Sequence, residues 1–146
     1  CGTDGCHITQ PQADKMELTL RLALEDAALP PEAIGFVSAH GTATDEGDVA
    51  ESVATAAVLG HKIPIHALKS YFGHSLGACG STEAWLGIEM MREEWFPPTI
   101  NLDHVDPNCA ELDYLMGAPR KIAVDYLMTD NFAFGGINTS LVLKRV

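Results

Sequence analysis

Two periods compete in the first long apolar segment, residues 11–28, which reads PQADKMELTLRLALEDAA. Leucine at every second position would suit a strand, but another apolar stripe has helical spacing: Met16, Leu20, Ala23, Leu24 and Ala27. The segment is rich in Leu, Ala, Glu and Arg and contains no Val or Ile, a composition that favours a helix. Pro30-Pro31 then prevents the helix from continuing. We therefore predict a helix over residues 11–28.

Short apolar runs and helical segments alternate along the next part of the chain. We predict buried strands over 34–39 and 63–68, a helix from about Asp48 to Leu59, and a longer helix from about Ser75 to Arg92. The Asp48-x-x-Glu51 spacing is expected to cap the helix that follows it. Its expected buried face consists of Val49, Val53, Ala56 and Ala57. Small residues give the longer helix a thin side that suits close packing: Gly77, Ala78, Gly80, Ala84 and Gly87.

The C-terminal third begins with a break at Pro97-Pro98 and a loop-like stretch over 99–111. Strands are predicted over 112–116, 125–129 and 139–144, with a turn at Phe134-Gly135-Gly136 between the last two. This alternation of helices and strands predicts the α/β fold class. At 146 residues the chain suits one domain, 1–146. It does not begin with Met, so we expect a piece of a longer protein.

Charge and cysteine usage narrow the classes of function. With 9 basic and 20 acidic residues the net charge is −11, which argues against nucleic-acid binding. No apolar run approaches the roughly 20 residues that cross a bilayer, and no basic amphipathic segment suits a membrane surface. The four cysteines form no C-x-x-C pair, which predicts reduced thiols in a cytoplasmic protein and no zinc site: Cys1, Cys6, Cys79 and Cys109.

Polar residues gather where three predicted strands end, in the segments HGTATDEGD (40–48), KSYFGH (69–74) and DNFAFGGIN (130–138). Ligand sites in α/β sheets lie outside the carboxyl ends of the strands. Each segment alone has an ordinary explanation as turn, cap or solvated residues. If the strands are neighbours, however, two histidines, a lysine and a glycine-rich turn converge.

One alternative is a serine hydrolase, because Gly73-His74-Ser75-Leu76-Gly77 fits the G-x-S-x-G turn that presents a nucleophile. That class needs an acid and then a histidine after the serine. His104 is the only histidine after Ser75, and Asp103 is its immediate neighbour. The hydrolase also leaves the other two segments unexplained, so we disfavour it.

Together the segments resemble signatures of the β-ketoacyl-(acyl-carrier-protein) synthases, the condensing enzymes of fatty-acid and polyketide synthesis. HGTATDEGD resembles H-G-T-x-T-x-x-G-D, residues 69–84 resemble K-[ST]-x-x-G-H-x-x-G-A-[AS]-G-x-x-E, and DNFAFGGIN resembles N-S-F-G-F-G-G-x-N. PPTINLD (97–103) is similar to a connecting segment of the family. The resemblance covers essentially the whole chain and is nearest to the elongating type with two active-site histidines. It implies a thiolase-like fold, of which this chain is the C-terminal α/β half with a mixed sheet packed between helices.

The resemblance implies decarboxylative Claisen condensation, in which His40 and His74 stabilise an enolate and Lys69 acts on His74, with Glu83 as its paired carboxylate. The Phe134 backbone N–H would serve an oxyanion hole, and its ring would gate the acyl pocket. The remaining substrate-binding residues would be Thr42 and Thr44 on the phosphopantetheine arm, with Phe132, Gly135 and Gly136. No metal or cofactor is implied. The implied partners are an acyl carrier protein, the rest of the chain, and a second subunit in a homodimer or a heterodimer with a ketosynthase-like protein.

Three departures from the family pattern change what we expect. None of the four cysteines lies in the nucleophile motif, which belongs to the N-terminal half, so this chain alone should be inactive. A non-catalytic partner subunit, a chain-length factor, therefore remains an alternative. Ala133 replaces a turn glycine and should resist φ > 0, which would stiffen the gate. The chain is acidic like its expected carrier partner, which leaves only Lys62, Arg120 and Lys121 as weak docking candidates.

Overall fold

Six strands form one mixed sheet with helices on both faces. This computed structural model describes residues 1–3 and 11–146, so Cys6 lies outside the described residues. The helices are α1 (Ala13–Asp26), α2 (Asp45–Leu59), α3 (Lys69–Phe72) and α4 (Cys79–Glu93). The strands are β1 (Gly2–Thr3), β2 (Phe36–Ser38), β3 (Pro64–His66), β4 (Trp95–Phe96), β5 (Asp113–Tyr114), β6 (Arg120–Lys121), β7 (Tyr126–Ala133) and β8 (Ile137–Lys144).

The sheet order is β1-β8-β7-β2-β3-β5, and its centre is parallel. Strand β2 pairs in parallel with β3 on one side and with β7 on the other, while β8 and β1 add antiparallel pairs at one edge. The carboxyl end of β2, with β3 on its other side, therefore lies beside the later part of β7, where the third polar segment begins. This confirms the expected convergence of the three segments at one end of the sheet.

Helix α1 settles the conflict between the two periods. Met16, Leu20 and Leu24 are buried against the sheet and α2, whereas Leu18 and Leu22 remain 51% and 39% exposed. The helical stripe therefore carries the burial, and the alternate leucines are divided between core and solvent. The predicted helix over 11–28 is confirmed with shorter ends.

The expected buried face of α2 is wrong. Its buried side chains are Ala50, Glu51, Ser52, Ala54, Thr55 and Val58, while Val53 is 43% exposed. The helix also begins at Asp45, and the Asp48-x-x-Glu51 capping arrangement does not form. Glu51 instead turns inward and accepts hydrogen bonds from the loop before the helix. Because Glu51 must face inward to accept these bonds, the contact determines which side of α2 is buried.

The opposite face of the sheet is covered by α4, which packs on β7. A Cβ added at Gly87 would lie 3.3 Å from Leu127 Cδ2, so the expected close packing occurs at this glycine. The helix begins at Cys79 and not at Ser75, because a 3₁₀ turn over Leu76–Ala78 comes first. That turn shapes the loop carrying His74.

The C-terminal hairpin is longer than predicted. Strands β7 and β8 pair over eight residues each, from Tyr126↔Lys144 to Ala133↔Ile137. The two-residue strands β1, β4 and β6 were not predicted, since a two-residue strand has no detectable alternation. In residues 1–3 and 11–146, no helix is both long and apolar enough to span a membrane.

Candidate active site

His40 is held at the end of β2 by its own backbone. Its N–H donates to Glu51 Oε1 at 2.7 Å, and the next N–H, that of Gly41, donates to Glu51 Oε2 at 2.9 Å. Gly41 has φ +45°, and a Cβ there would lie 2.4 Å from the Ala67 Cβ. The glycine therefore allows β2 to turn beside the β3 loop, and the buried carboxylate of Glu51 fixes the turn.

The electrostatic setting of His40 keeps its ring neutral. Burial is the largest cause that lowers the pKa of His40 to about 4; the electrostatic effects of Lys69 and His74 act in the same direction, and a hydrogen bond with Asn131 opposes them. At neutral pH the imidazole is therefore uncharged, with one N–H donor and one acceptor nitrogen. A neutral N–H can stabilise developing negative charge by hydrogen bonding without adding a buried cation.

His74 meets His40 from the loop between α3 and α4. The two ring centroids are 5.5 Å apart and the rings are perpendicular. His74 Nδ1 accepts the Leu76 backbone N–H at 3.0 Å, and Leu76 takes φ +52° to reach it. Because Nδ1 is an acceptor, the ring proton lies on Nε2. The second histidine therefore also offers an N–H donor.

Lys69 and Glu83 form a buried ion pair beside the histidines. Lys69 Nζ donates to Glu83 Oε1 at 2.5 Å, and the two side chains are only 4% and 0% exposed. The other carboxylate oxygen accepts the Asn131 side-chain amide at 3.0 Å. This network ties α3, α4 and β7 together under the site. It also places the positive charge of Lys69 where it acts on His40.

The remaining residues implied by the resemblance surround a cavity of about 700 Å³ that reaches both histidines. Its lining includes Thr42, Thr44, Phe132, Phe134 and Gly136. The two threonine hydroxyls are 3.1 Å apart, and the Phe132 ring stands edge-on to His40 with centroids 6.1 Å apart. Phe134 contributes to this lining and is 65% exposed. Gly135 is exposed in the adjoining turn.

Ala133 does not occupy the φ > 0 conformation that alanine was expected to resist, so the physical reason for a stiffened gate does not hold. Ala133 is the last residue of β7 and lies opposite Ile137, outside the left-handed region. The left-handed positions are Gly135 with φ +77° and Gly136 with φ +73°, and the Gly136 N–H donates back to the Ala133 carbonyl. The two glycines therefore supply the conformational freedom that the turn requires, and alanine fits at 133.

Asn131 and Glu51 belong to this site but were not expected. Asn131 lies within the third polar segment, yet the family signature places a serine there, so the resemblance suggested no role. The spacing Asp48-x-x-Glu51 was interpreted as a helix cap, and the residues adjacent to Glu51 do not indicate that it is buried. A charged residue inside an otherwise apolar helical stripe would have been the signal for Glu51.

Ser75 does not have the contacts of a hydrolase nucleophile. Its Oγ donates to Cys79 Sγ at 3.4 Å, and among the described residues it has no histidine or carboxylate partner. The same part of the chain contains no group of three His, Cys, Asp or Glu side chains arranged to hold a metal ion. The chemistry of the site therefore centres on two imidazole donors, a buried ion pair and a cavity.

Comparisons with known proteins agree with this arrangement. The family described as "Beta-ketoacyl synthase, C-terminal domain" matches residues 1–103. A 3-oxoacyl-(acyl-carrier-protein) synthase 2 of Synechocystis is 40% identical over 97% of this chain and 35% of its own length. The chain belongs to the β-ketoacyl synthase family and spans about a third of the length of the curated relatives it matches.

Solved structures give the same result for the fold. A β-ketoacyl synthase from Burkholderia phymatum STM815 superposes with a TM-score of 0.98 at 59% identity, covering 100% of this chain and 36% of that one. A structure described as a type II PKS acyl-carrier protein in complex with its ketosynthase bound to the hexaketide has a TM-score of 0.93 at 32% identity, covering 99% and 36%. The fold is therefore thiolase-like, and this chain is its mixed-sheet C-terminal part.

Proposed function

We propose that the protein containing this chain is an elongating 3-oxoacyl-(acyl-carrier-protein) synthase and that residues 1–146 form its C-terminal domain. The observation that carries the proposal is the perpendicular pair of His40 and His74, 5.5 Å apart, beside the buried Lys69–Glu83 pair. The nucleophilic cysteine would lie in an N-terminal half that this chain does not include. This chain alone would then be inactive.

The proposed reaction is a decarboxylative Claisen condensation. A cysteine thiolate takes the acyl group from a carrier-protein thioester and releases the carrier thiol. The bond between the malonyl α-carbon and its carboxylate then breaks, carbon dioxide leaves, and the electron pair moves into an enolate. The enolate carbon attacks the acyl carbonyl, and collapse of the tetrahedral oxyanion expels the cysteine thiolate and yields the 3-oxoacyl product.

The two histidines suit the decarboxylation step. Negative charge develops on the malonyl thioester oxygen, and His40 and His74 would each direct an N–H at that atom. Because the pKa of His40 is lowered to about 4, its ring is neutral at pH 7 and would stabilise the enolate as a hydrogen-bond donor without protonating its carbon. Lys69 would maintain this state of His40, while Glu83 and Asn131 hold Lys69 in place.

The cavity supports the assignment of the substrate residues. Thr42 and Thr44 present adjacent hydroxyls that suit a phosphopantetheine amide, and Phe132 lines the wall beside His40. The exposed Phe134 ring and the turn at Gly135 and Gly136 would form the gate of the acyl pocket. The Phe134 N–H would donate to the tetrahedral oxyanion.

Exposed apolar side chains support an incomplete site. Three large apolar side chains are well exposed: Leu76 before α4 (69%), Trp85 on α4 (61%) and Phe134 in the turn between β7 and β8 (65%). Such a surface is costly in water and suits burial against another segment. We therefore propose that the N-terminal half covers it and that a second ketosynthase-type subunit completes a dimer.

The acyl carrier protein is the proposed partner, with its docking residues mostly outside this acidic chain. Cys1, Cys79 and Cys109 are free thiols, which supports the cytoplasm as the location. A chain-length factor remains the second candidate. The presence of His40, Lys69 and His74 in one assembled site favours the enzyme, because a non-catalytic subunit has no need of them.

The experiment is peptide mapping by mass spectrometry of the full-length protein after incubation with an acyl-carrier-protein thioester. An acyl adduct on a cysteine upstream of this chain is the expected result. An adduct on Ser75 would establish the hydrolase instead. If the loaded thioester is stable and no adduct forms, the protein is a chain-length factor and the proposed enzyme is wrong.

A further inference from the structure

Cys79 is a buried thiol that the proposed reaction does not use. It is the first residue of α4 and is 1% exposed. Its Sγ lies 3.2 Å from His74 Nδ1 and 3.4 Å from Ser75 Oγ. The family signature has alanine or serine at this position, so the thiol is a departure of this chain from that signature.

We propose that Cys79 is a positioning residue whose S–H donates to His74 Nδ1 and holds the ring in the Nε2–H tautomer, an inference that rests on the proposed function. The direction of this bond follows from the neighbouring backbone. The Leu76 N–H already points at Nδ1 at 3.0 Å, so that nitrogen presents a lone pair and carries no proton. The thiol must therefore be the donor.

The same geometry excludes a thiolate–imidazolium pair between Cys79 and His74. Such a pair would place a proton on Nδ1, and that proton would face the Leu76 N–H. The Cys79 sulfur meanwhile accepts the Ser75 hydroxyl, so its acceptor capacity has a partner. Cys79 is therefore not a substitute for the missing nucleophile.

A second anchor matters because the first depends on an unfavourable backbone conformation. Leu76 presents its N–H to Nδ1 with φ +52°, a left-handed conformation that is unfavourable for a non-glycine residue. The Cys79 thiol is buried at the start of α4 and water cannot replace it. Loss of this donor would let the ring populate the other tautomer, in which Nε2 is an acceptor and repels an enolate oxygen.

The test compares Cys79→Ala and Cys79→Ser in the full-length protein by malonyl decarboxylation kinetics. We expect Cys79→Ala to lower kcat about threefold to tenfold, the effect of one neutral hydrogen bond, with KM unchanged. Cys79→Ser supplies a hydroxyl donor and should return kcat to within about twofold. Ser81→Ala is the matched control, because its exposed hydroxyl donates to the Ala78 carbonyl in the turn before α4 and not to His74.

The ring tautomer gives a readout independent of turnover. In ¹⁵N-histidine-labelled protein, His74 should show a protonated Nε2, and Cys79→Ala should show a mixture of tautomers. Should Cys79→Ala fail to fold, Cys79→Val fills the volume without a donor and carries the same expectation. A kcat equal to that of the wild type in Cys79→Ala, or a Cys79→Ser variant as slow as Cys79→Ala, overturns the inference while the proposed function stands. A wild-type protein that releases no carbon dioxide overturns the proposed function itself.

Discussion

Substitution of Glu83 by Gln tests the buried ion pair under the site. Glu83 accepts from two donors, Lys69 at 2.5 Å and Asn131 at 3.0 Å, and its side chain is fully buried. Glutamine has one acceptor oxygen and no charge, so it leaves the Lys69 ammonium buried without a counter-ion. Breaking a buried pair by removing one partner costs about 3–5 kcal/mol. We expect Glu83→Gln to lower the free energy of unfolding by that amount.

The measurement is urea denaturation of the full-length protein followed by far-ultraviolet circular dichroism. Glu89→Gln is the matched control, because Glu89 lies on the same helix and pairs with Arg92 at 3.1 Å with both side chains well exposed. An exposed pair contributes about 0–1 kcal/mol. If Glu83→Gln and Glu89→Gln cost the same, the structural argument for the buried pair is refuted. Adding Lys69→Met to Glu83→Gln should recover part of the loss, because the double variant buries no unpaired charge.

Three further predictions concern stability. Burial raises the pKa of Asp130 well above its usual value, so the folded state holds a proton that the unfolded state releases, and stability falls as pH rises above about 4. Asp130→Asn should flatten this decline in urea midpoints measured from pH 5 to 8, and an unchanged decline would contradict the prediction. Gly41→Ala should lower the thermal midpoint strongly because the new Cβ would lie 2.4 Å from the Ala67 Cβ. Gly77→Ala is the control, since its Cβ meets open space and should change the midpoint little; equal shifts in the two variants would be inconsistent with the turn geometry. Burial lowers the pKa of His66 to about 4, so the unfolded state binds the proton first and stability is lost as pH falls from about 6.5 towards 4. His66→Gln should reduce this loss of stability at acid pH by about 3 kcal/mol, and an identical dependence of stability on pH would argue against the prediction.

Much of the fold follows from patterns along the chain. The stripe through Met16, Leu20 and Leu24 predicts α1, and the apolar runs predict the parallel strands at the centre of the sheet. Because those strands end in polar segments, their adjacency also brings His40 and His74 together. These features depend on local periodicity and on the direction of parallel strands, which the sequence encodes strongly.

The features that the sequence did not predict depend on tertiary contacts. The rotation of α2 follows from Glu51 binding two backbone N–H groups 10 and 11 residues away, and no local pattern records such a bond. Asn131 gains its role from Glu83, which lies 48 residues earlier. Helix α4 begins at Cys79 and not at the predicted Ser75, because the Leu76 N–H donates to the His74 ring and Leu76 takes a left-handed conformation.

The most direct test of the central claim is carbon dioxide release from malonyl-carrier protein by the full-length protein and its histidine variants. His40→Ala and His74→Ala should each lower the rate of carbon dioxide release by about a hundredfold or more, since each variant removes one preorganised donor to the enolate oxygen. His61→Ala is the control, because His61 is exposed and binds only the Glu111 carbonyl. Rates in the His40 and His74 variants that match His61→Ala would contradict the account.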